Sequence, residues 1–340
     1  MRALVKLAAA PGQVEVRERP APVPGPSEVV VRVRLAGLCH TDLSMAEWNQ
    51  AAQHAYRPAF PLIMGHEFAG TVDALGPGTA GPEPGTPVAG SAHLTCGRCA
   101  MCRAGRSMLC PGLRVLGLDV DGVLATHVRL PVRNVVRLPA GLPWEVAGLA
   151  EPFAVASHAV AAGGLAAGQR VAIIGPGAVG LCALAVALTR TSEVVVFGLA
   201  SDRVQLGIAR RMGASASAGI SSAGPDQEGG YDLVVETAGQ PAAVASAVRL
   251  CRPGGRVVCV GLPAEPVPID TAALARTEKR LIGVRAYDLG EWAALPGRLA
   301  VAAPRLAPLV THVLGLGEFG RAAGLIGTRT AVKVMLSPDA

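Results

Sequence analysis

The chain is 340 residues long, with 51% apolar residues, 16% charged residues and a net charge of +6. Its length predicts about two domains, and its apolar content excludes a disordered polypeptide. The 31 lysines and arginines are scattered without a basic run, so we expect no nucleic-acid partner.

The first 150 residues alternate short β-like segments with turns that are rich in proline and glycine. Residues 29–35 are an example, because apolar and charged side chains alternate there as they do in a half-buried strand. We therefore predict a mostly β domain over residues 1–150. Residues 309–336 again have the pattern of short, mixed secondary-structure elements, and we expect this segment to pack against the first domain.

Four cysteines follow one another at a spacing of C-x2-C-x2-C-x7-C: Cys96, Cys99, Cys102 and Cys110. Short loops between cysteines can wrap four thiolates around one tetrahedral zinc ion. Iron–sulfur clusters use other spacings, and disulfides are disfavoured in a reducing cytosol. The spacing therefore predicts a structural zinc site.

Three other segments carry a mixed set of metal-ligand residues. Cys39 begins a Cys-His-Thr-Asp run, His66 and Glu67 share a turn framed by glycines, and Glu151 precedes a proline near the middle of the chain. Each segment is weak alone, since a lone cysteine is usually a core residue and a His-Glu pair is often exposed. Together with the four cysteines, they indicate a catalytic zinc with an open coordination position.

From about residue 151 the pattern changes to alternating strands and helices. We predict strands at residues 171–174, 193–197, 231–236, 255–260 and 281–287, and helices that include 179–190 and 203–212. This repetition predicts an α/β fold with a doubly wound parallel sheet. Residues 171–189 carry no charge, but Gly175 and Pro176 divide them, so we expect no membrane span and a cytoplasmic protein.

Gly175, Gly177 and Gly180 form a G-x-G-x-x-G loop between the first of these strands and the helix after it. In such loops the first glycine allows the tight turn, the second admits a diphosphate to the backbone, and the third lets helix and strand pack closely. The helix N-terminus then faces the negative charge. The context favours dinucleotide binding over an ordinary strand–turn–helix.

Four motifs occur in a recognisable order: Cys39-His40-Thr41-Asp42-Leu43, Gly65-His66-Glu67-Phe68-Ala69-Gly70, the four cysteines and Gly175-Pro176-Gly177-Ala178-Val179-Gly180. With them the chain resembles the zinc-dependent medium-chain alcohol dehydrogenases over essentially its whole length. Glu151-Pro152, where the ethanol-type enzymes carry a cysteine, is similar to the polyol branch, which includes sorbitol, butanediol, threonine and cyclitol dehydrogenases. The resemblance implies a GroES-like catalytic domain over residues 1–150 and 289–340 and a Rossmann domain over residues 151–288.

The resemblance also implies the zinc ligands. Cys39 and His66 would bind the catalytic ion directly. Glu67 would be a third or an exchangeable ligand. Glu151 would be either a ligand or the acid that holds a zinc-bound water.

Further roles come from the same resemblance. Asp42 would orient the ring of the histidine ligand, and Thr41 would hydrogen-bond the substrate oxygen and begin the proton exit. His40 would contact the cofactor diphosphate. Many relatives place a proton-relay histidine where this chain has Ser44, so the proton would leave through the ribose and water or through His54.

The cofactor-binding residues that we expect, besides His40 and the three loop glycines, lie at the ends of predicted strands and in the loop: Val179, Gly198, Arg203, Val260, Gly261 and Leu262. The second strand ends at Gly198 rather than at the acid that binds the adenosine ribose. Arg203 and Ser201 could therefore reach a 2′-phosphate, whereas Asp202 could replace the absent acid and restore NAD use. We therefore expect a slight preference for NADP over NAD, with use of both cofactors.

We therefore expect a zinc-dependent oxidoreductase that transfers a hydride between a secondary alcohol (a polyol, cyclitol or hydroxy amino acid) and NAD(P). We also expect one catalytic and one structural Zn²⁺ per chain. The protein should form a homodimer or homotetramer and have no membrane partner. Two alternatives stay open: a zinc-free medium-chain reductase, and a non-catalytic protein that binds zinc and a nucleotide.

Overall fold

The computed structural model describes residues 1–217, 219–220 and 228–340. Its N-terminal half consists mainly of strands: β1 (Arg2–Lys6), β2 (Val14–Glu18), β3 (Glu28–Gly37), α1 (His40–Glu47), α2 (Gln50–Ala55), β4 (Leu62–Ile63), β5 (Glu67–Leu75), β6 (Pro87–Gly90), β7 (His93–Leu94), α3 (Ala100–Arg103), β8 (Arg114–Val115), β9 (His127–Pro131) and β10 (Val135–Arg137).

Helices and strands alternate in the second half: α4 (Trp144–Ala147), α5 (Ala150–Ala162), β11 (Val171–Ile174), α6 (Ala178–Ala187), β12 (Val194–Phe197), α7 (Arg203–Met212), β13 (Ser215–Ser217), β14 (Tyr231–Glu236), α8 (Pro241–Leu250), β15 (Cys251–Cys259), α9 (Thr271–Thr277) and β16 (Arg280–Gly283). The chain then continues through α10 (Leu289–Ala293), α11 (Leu295–Leu306), β17 (Val310–Gly315), α12 (Phe319–Gly327) and β18 (Lys333–Ser337).

The second half contains a parallel sheet in the order β13-β12-β11-β14-β15-β16. All four residues of β11 are buried, as a strand covered by helices on both faces requires. The strand order reverses between β11 and β14, and such a switch point opens a crevice at the carboxyl ends of the strands. The doubly wound fold predicted from the sequence is confirmed.

Several predicted boundaries differ from the structure. The strand expected at residues 281–287 ends at Gly283, and Ala286 adopts a left-handed φ of 46°, which turns the chain away from the sheet. The strand expected at 255–260 starts earlier, at Cys251, and the helix expected at 179–190 ends at Ala187. Among the described residues, no helix is long and apolar enough to cross a membrane.

The first half is built around a sheet in the order β10-β6-β5-β3-β18-β17, with β9 also paired to β3. The C-terminal strand β18 runs antiparallel to β3, and Met335 faces Gly37 across this pair. The expected return of the C-terminal segment to the first domain is therefore observed. This pairing brings the start of β18 beside the end of β3, where the metal-ligand motif begins.

The two halves share a hydrophobic core in which helices α5, α6 and α11 pack together. Leu299 and Leu306 of α11 are fully buried in this cluster, as are Leu181 and Leu184 of α6. The domain bounds of 1–150 with 289–340 and 151–288 stay a prediction.

Candidate active site

Cys39, His66 and Glu67 meet where β3 and β5 lie side by side. Their ligand atoms all lie within 4.8 Å of one another. The antiparallel register pairs Gly37 with Glu67, so the two residues after β3 and the residue before β5 are close in space. A thiol, an imidazole and a carboxyl at these distances are a donor set that fits zinc.

Asp42 lies behind this cluster, in the first turn of α1. Its Oδ2 accepts a hydrogen bond from the backbone N–H of Cys39 at 2.8 Å, and its Oδ1 lies 3.2 Å from Nδ1 of His66, at an angle outside hydrogen-bond geometry. Burial disfavours the imidazolium form, but the carboxylate outweighs it and raises the pKa of His66 well above its usual value. This placement leaves the other ring nitrogen of His66 for a metal.

Lys333 is a member of the site that the sequence analysis missed. Its Nζ donates to both carboxylate oxygens of Glu67, at 2.9 and 2.7 Å, and to the carbonyl of Leu38 at 3.1 Å. Burial lowers the pKa of this lysine, but the Glu67 carboxylate raises it by more, so the side chain stays charged. A lysine inside an apolar strand was the available signal, because lysines are rarely buried without a partner.

Glu151 lies in the first turn of α5 and is 8% exposed. Burial, followed by the charge of Glu67, raises its pKa to about 7. Its carboxyl does not belong to the group of ligand atoms within 4.8 Å that Cys39, His66 and Glu67 form. A second acid thus stands near the cluster with a pKa at which it can take up or release a proton near neutrality.

An aromatic wall adjoins this centre. The ring of His93 packs edge-on against Tyr287 at 5.1 Å, and the phenol of Tyr287 donates a hydrogen bond to Ser91 at 3.2 Å. Burial, followed by the charge of His66, lowers the pKa of His93 to about 3, so its ring is neutral. His93 and Tyr287 are 194 residues apart in the chain, so no local sequence pattern predicts their contact.

The other residues of the first motif surround the cluster. Thr41 Oγ1 lies 3.6 Å from the Sγ of Cys39. Partial desolvation, followed by the charges of Lys333 and Arg329, lowers the pKa of His40 at the start of α1. His54, the alternative proton acceptor, is exposed in the last turn of α2.

The glycine loop lies at the carboxyl end of β11, beside the switch point. Gly175 has a φ of 96°, and a side chain on Gly180 would overlap the carbonyl oxygen of Gly175. Space is open around Gly177, which is the residue before α6, and Val179 lies in the first turn of that helix. The loop has the geometry that a diphosphate requires at a helix N-terminus.

Glu236, at the end of β14, organises the neighbouring loops. Its Oε1 accepts the backbone N–H groups of Ala238 and Gly239 at 2.7 and 2.8 Å, and its carbonyl accepts that of Val260 at 2.9 Å. The segment after β15 therefore continues along the same edge of the sheet. Val260 and Gly261 are half-buried there, and Leu262 is 87% exposed.

The end of β12 carries the residues that bear on cofactor choice. A Cβ on Gly198 would lie 2.8 Å from Pro176 and 3.0 Å from Oδ2 of Asp202. Asp202 turns inward, and its Oδ2 accepts the backbone N–H of Leu199 at 2.7 Å. Arg203 and Ser201 are exposed on the same loop.

The four cysteines form a separate cluster over residues 96–110, here called the four-cysteine lobe. Their Sγ atoms all lie within 4.8 Å of one another. Hydrogen bonds from the backbone N–H groups of Arg98 and Cys99 lower the pKa of Cys96 to about 6. Four clustered thiols, one of them inclined to ionise, fit a closed zinc site.

Two family profiles match the chain, Alcohol dehydrogenase GroES-like domain over residues 25–140 and Zinc-binding dehydrogenase over residues 178–300. The chain is 35% identical over 320 residues to an L-threonine 3-dehydrogenase from Saccharopolyspora erythraea, and the match covers 92% of each protein.

Two solved structures are similar along 99% of both chains. One is a Sinorhizobium meliloti 1021 protein of the zinc-binding dehydrogenase type bound to NADP, with a TM-score of 0.90 and 28% identity. The other, from Escherichia coli CFT073, is described as a short chain alcohol dehydrogenase in complex with NADH, with a TM-score of 0.89 and 25% identity.

Proposed function

Because the chain belongs to the family of zinc-dependent medium-chain alcohol dehydrogenases, we propose that it oxidises the secondary hydroxyl of a small polyol, cyclitol or hydroxy amino acid. At the coarser level, it is an oxidoreductase that acts on hydroxyl substrates with zinc and a nicotinamide cofactor. The observation that carries the proposal is the cluster of Cys39, His66 and Glu67 beside a nucleotide-binding sheet.

In this proposal Cys39 and His66 bind the catalytic zinc. Bound there, zinc supplies Lewis acidity that lowers the pKa of a substrate hydroxyl. Both carboxylate oxygens of Glu67 accept hydrogen bonds from Lys333. We therefore propose that Glu151, rather than Glu67, is the carboxylate that binds the zinc exchangeably. Glu151 is buried near this cluster, where its carboxyl can hold water or a proton near the reacting hydroxyl.

The remaining residues of the site place the substrate and the cofactor. Asp42 orients the ring of His66. Thr41 hydrogen-bonds the substrate oxygen and relays its proton, giving up its own hydroxyl proton towards the cofactor ribose and water as it takes that of the substrate. The glycine loop receives the diphosphate with His40 near it, and Val260, Gly261 and Leu262 line the nicotinamide side of the crevice. The four-cysteine lobe holds a second, structural zinc.

The proposed cofactor preference is a slight one for NADP. It is supported by Gly198, which has no room for an acidic side chain, and by Asp202, which bonds its own loop instead of facing the crevice. The ratio of kcat/KM for the two cofactors tests this preference. A preference for NAD above about 100-fold, worth nearly 3 kcal/mol, would contradict it.

We also keep the proposals of a cytoplasmic location and a homodimer or homotetramer. Among the described residues no two cysteines are joined by a disulfide, as expected in a reducing compartment. β16 is an edge strand of the parallel sheet, with Leu281 41% exposed, and such an edge can pair with a second chain. Light scattering of the purified protein measures its molecular mass in solution, and the mass of a monomer would contradict the proposed homodimer or homotetramer.

The substrate class is tested by initial rates with L-threonine, a linear polyol, a cyclitol and ethanol, each with both cofactors. We expect turnover with at least one of the first three and a much lower kcat/KM for ethanol. Turnover confined to ethanol would contradict the assignment to the polyol branch.

A further inference from the structure

Arg329 joins the C-terminal segment to the loop after β12. It follows α12, and its Nη1 lies 3.1 Å from Oδ1 of Asp202 and 3.4 Å from Oγ of Ser201. By sequence the arginine is 126 residues away from Arg203, yet both surround the same loop. In doubly wound dinucleotide sites, the end of the second strand is where the adenosine ribose lies.

The backbone of Arg329 is held in place by helix α7. The buried amide of Gln205 donates to the carbonyls of Arg329 and Ala331, at 3.0 and 3.1 Å. Arg329 adopts a φ of 58°, a left-handed conformation that is costly for a residue with a side chain. The conformation persists because both its carbonyl and its guanidinium are bound to the other half of the molecule.

Asp202 is not available to a ribose hydroxyl in this arrangement. One carboxylate oxygen accepts the N–H of Leu199, the other faces Arg329, and the side chain is only 9% exposed. The guanidinium neutralises this charge, so the loop does not repel an anion. Arg329 itself is 47% exposed, so part of its donor fork faces solvent.

We propose that Arg329 binds the 2′-phosphate of NADP, and that Asp202 is the intramolecular partner that the phosphate replaces. The inference rests on the proposed NADP preference and adds a residue from outside the Rossmann sheet. A guanidinium is matched to a phosphate because its planar N–H groups bond two oxygens at once. The cofactor would thereby contact both halves of the protein at its adenosine end.

Binding by the full-length protein tests the proposal without turnover. The probes are adenosine 2′,5′-bisphosphate and 5′-AMP, which differ only in the 2′-phosphate, and their Kd values are measured by calorimetry. For Arg329→Gln we expect the bisphosphate to bind about tenfold more weakly and 5′-AMP to change by less than about twofold. Arg329→Lys keeps the positive charge but lacks the planar N–H groups of the guanidinium. We expect it to weaken bisphosphate binding by less than Arg329→Gln does.

Arg203→Gln is the comparison variant, since Arg203 is the exposed arginine next to this loop and the sequence makes it a candidate for the same phosphate. A loss of bisphosphate binding confined to Arg203→Gln would overturn the role of Arg329. Equal weakening of both probes by Arg329→Gln and Arg329→Lys would also overturn it, because the arginine would then only maintain the loop. If wild type binds the two probes equally, the proposed NADP preference fails, whereas a wild-type preference for the bisphosphate that survives Arg329→Gln refutes only this inference.

Discussion

Glu67, one of the three residues of the metal-ligand cluster, forms a buried ion pair with Lys333. Nζ of Lys333 lies 2.7 Å from Oε2 of Glu67, and both side chains are almost fully buried. The lysine also donates to the carbonyl of Leu38, the residue before Cys39. The pair therefore ties the C-terminal strand β18 to both strands that carry the metal ligands.

Replacing Lys333 with methionine should destabilise the protein. The substitution leaves the carboxylate of Glu67 buried without a partner, and removing one member of such a pair costs about 3–5 kcal/mol. Urea unfolding measures this change, and the double variant Glu67→Gln with Lys333→Met should recover most of it. A single variant as stable as wild type would show that the pair does not contribute to the fold.

Removing a metal ligand should separate catalysis from cofactor binding. Cys39→Ser and His66→Ala should each lower the zinc content from two ions to one and abolish turnover, because the four-cysteine lobe is untouched. Binding of the reduced cofactor, measured by its fluorescence, should persist, since the glycine loop lies on β11 and α6. Near wild-type activity in either variant would contradict the assigned ligands.

The pKa of Glu151 predicts a pH dependence of stability in the zinc-free protein. The folded-state pKa is raised from 4.5 to about 7, so the folded state favours the protonated acid. Its contribution is fully present below pH 4.5 and is lost as the pH rises through about 7, with a total of roughly 3 kcal/mol.

Glu151→Gln removes this titration and is the matched control. In chelator-treated protein, the free energy of unfolding of wild type should fall relative to that of the variant between pH 5 and pH 8. Parallel pH profiles for the two proteins would show that the folded environment does not shift the titration of Glu151.

The four-cysteine lobe should contribute to stability rather than to chemistry. Ser107 Oγ and the Met108 backbone N–H, within this lobe, donate to Asp288 at 3.0 and 3.1 Å, so the lobe is joined to the start of α10. Cys110→Ser should remove one zinc and lower the melting temperature, with kcat of the remaining folded protein little changed. A loss of kcat without a change in melting temperature would place the second zinc in catalysis.

The features predicted from sequence are those set by local chemistry. The four cysteines are close together in the chain, and so are the three glycines of the loop after β11. As expected, the four thiols lie close together in space and the glycines form a tight turn before α6. Lys333 reaches Glu67 because β18 pairs with β3, and Arg329 reaches Asp202 because the segment after α12 lies against α7. Such contacts depend on strand order and register, which no local pattern encodes.

The same limit applies to the choice between Glu67 and Glu151. Both acids lie in motifs that are typical of metal ligands, so the sequence does not show which of them binds the zinc. The structure separates them because Lys333 donates to both oxygens of Glu67, whereas burial and the charge of Glu67 raise the pKa of Glu151.

The central claim, that hydride transfer from the alcohol carbon to the cofactor depends on a zinc held by Cys39 and His66, is tested by one titration. Purified protein is stripped with a chelator, and formation of NAD(P)H from an accepted alcohol is followed by absorbance while zinc is added back. We predict no turnover in the stripped protein and full recovery as the second zinc per chain binds, in wild type but not in Cys39→Ser. Full activity in protein shown to be free of zinc would contradict the account.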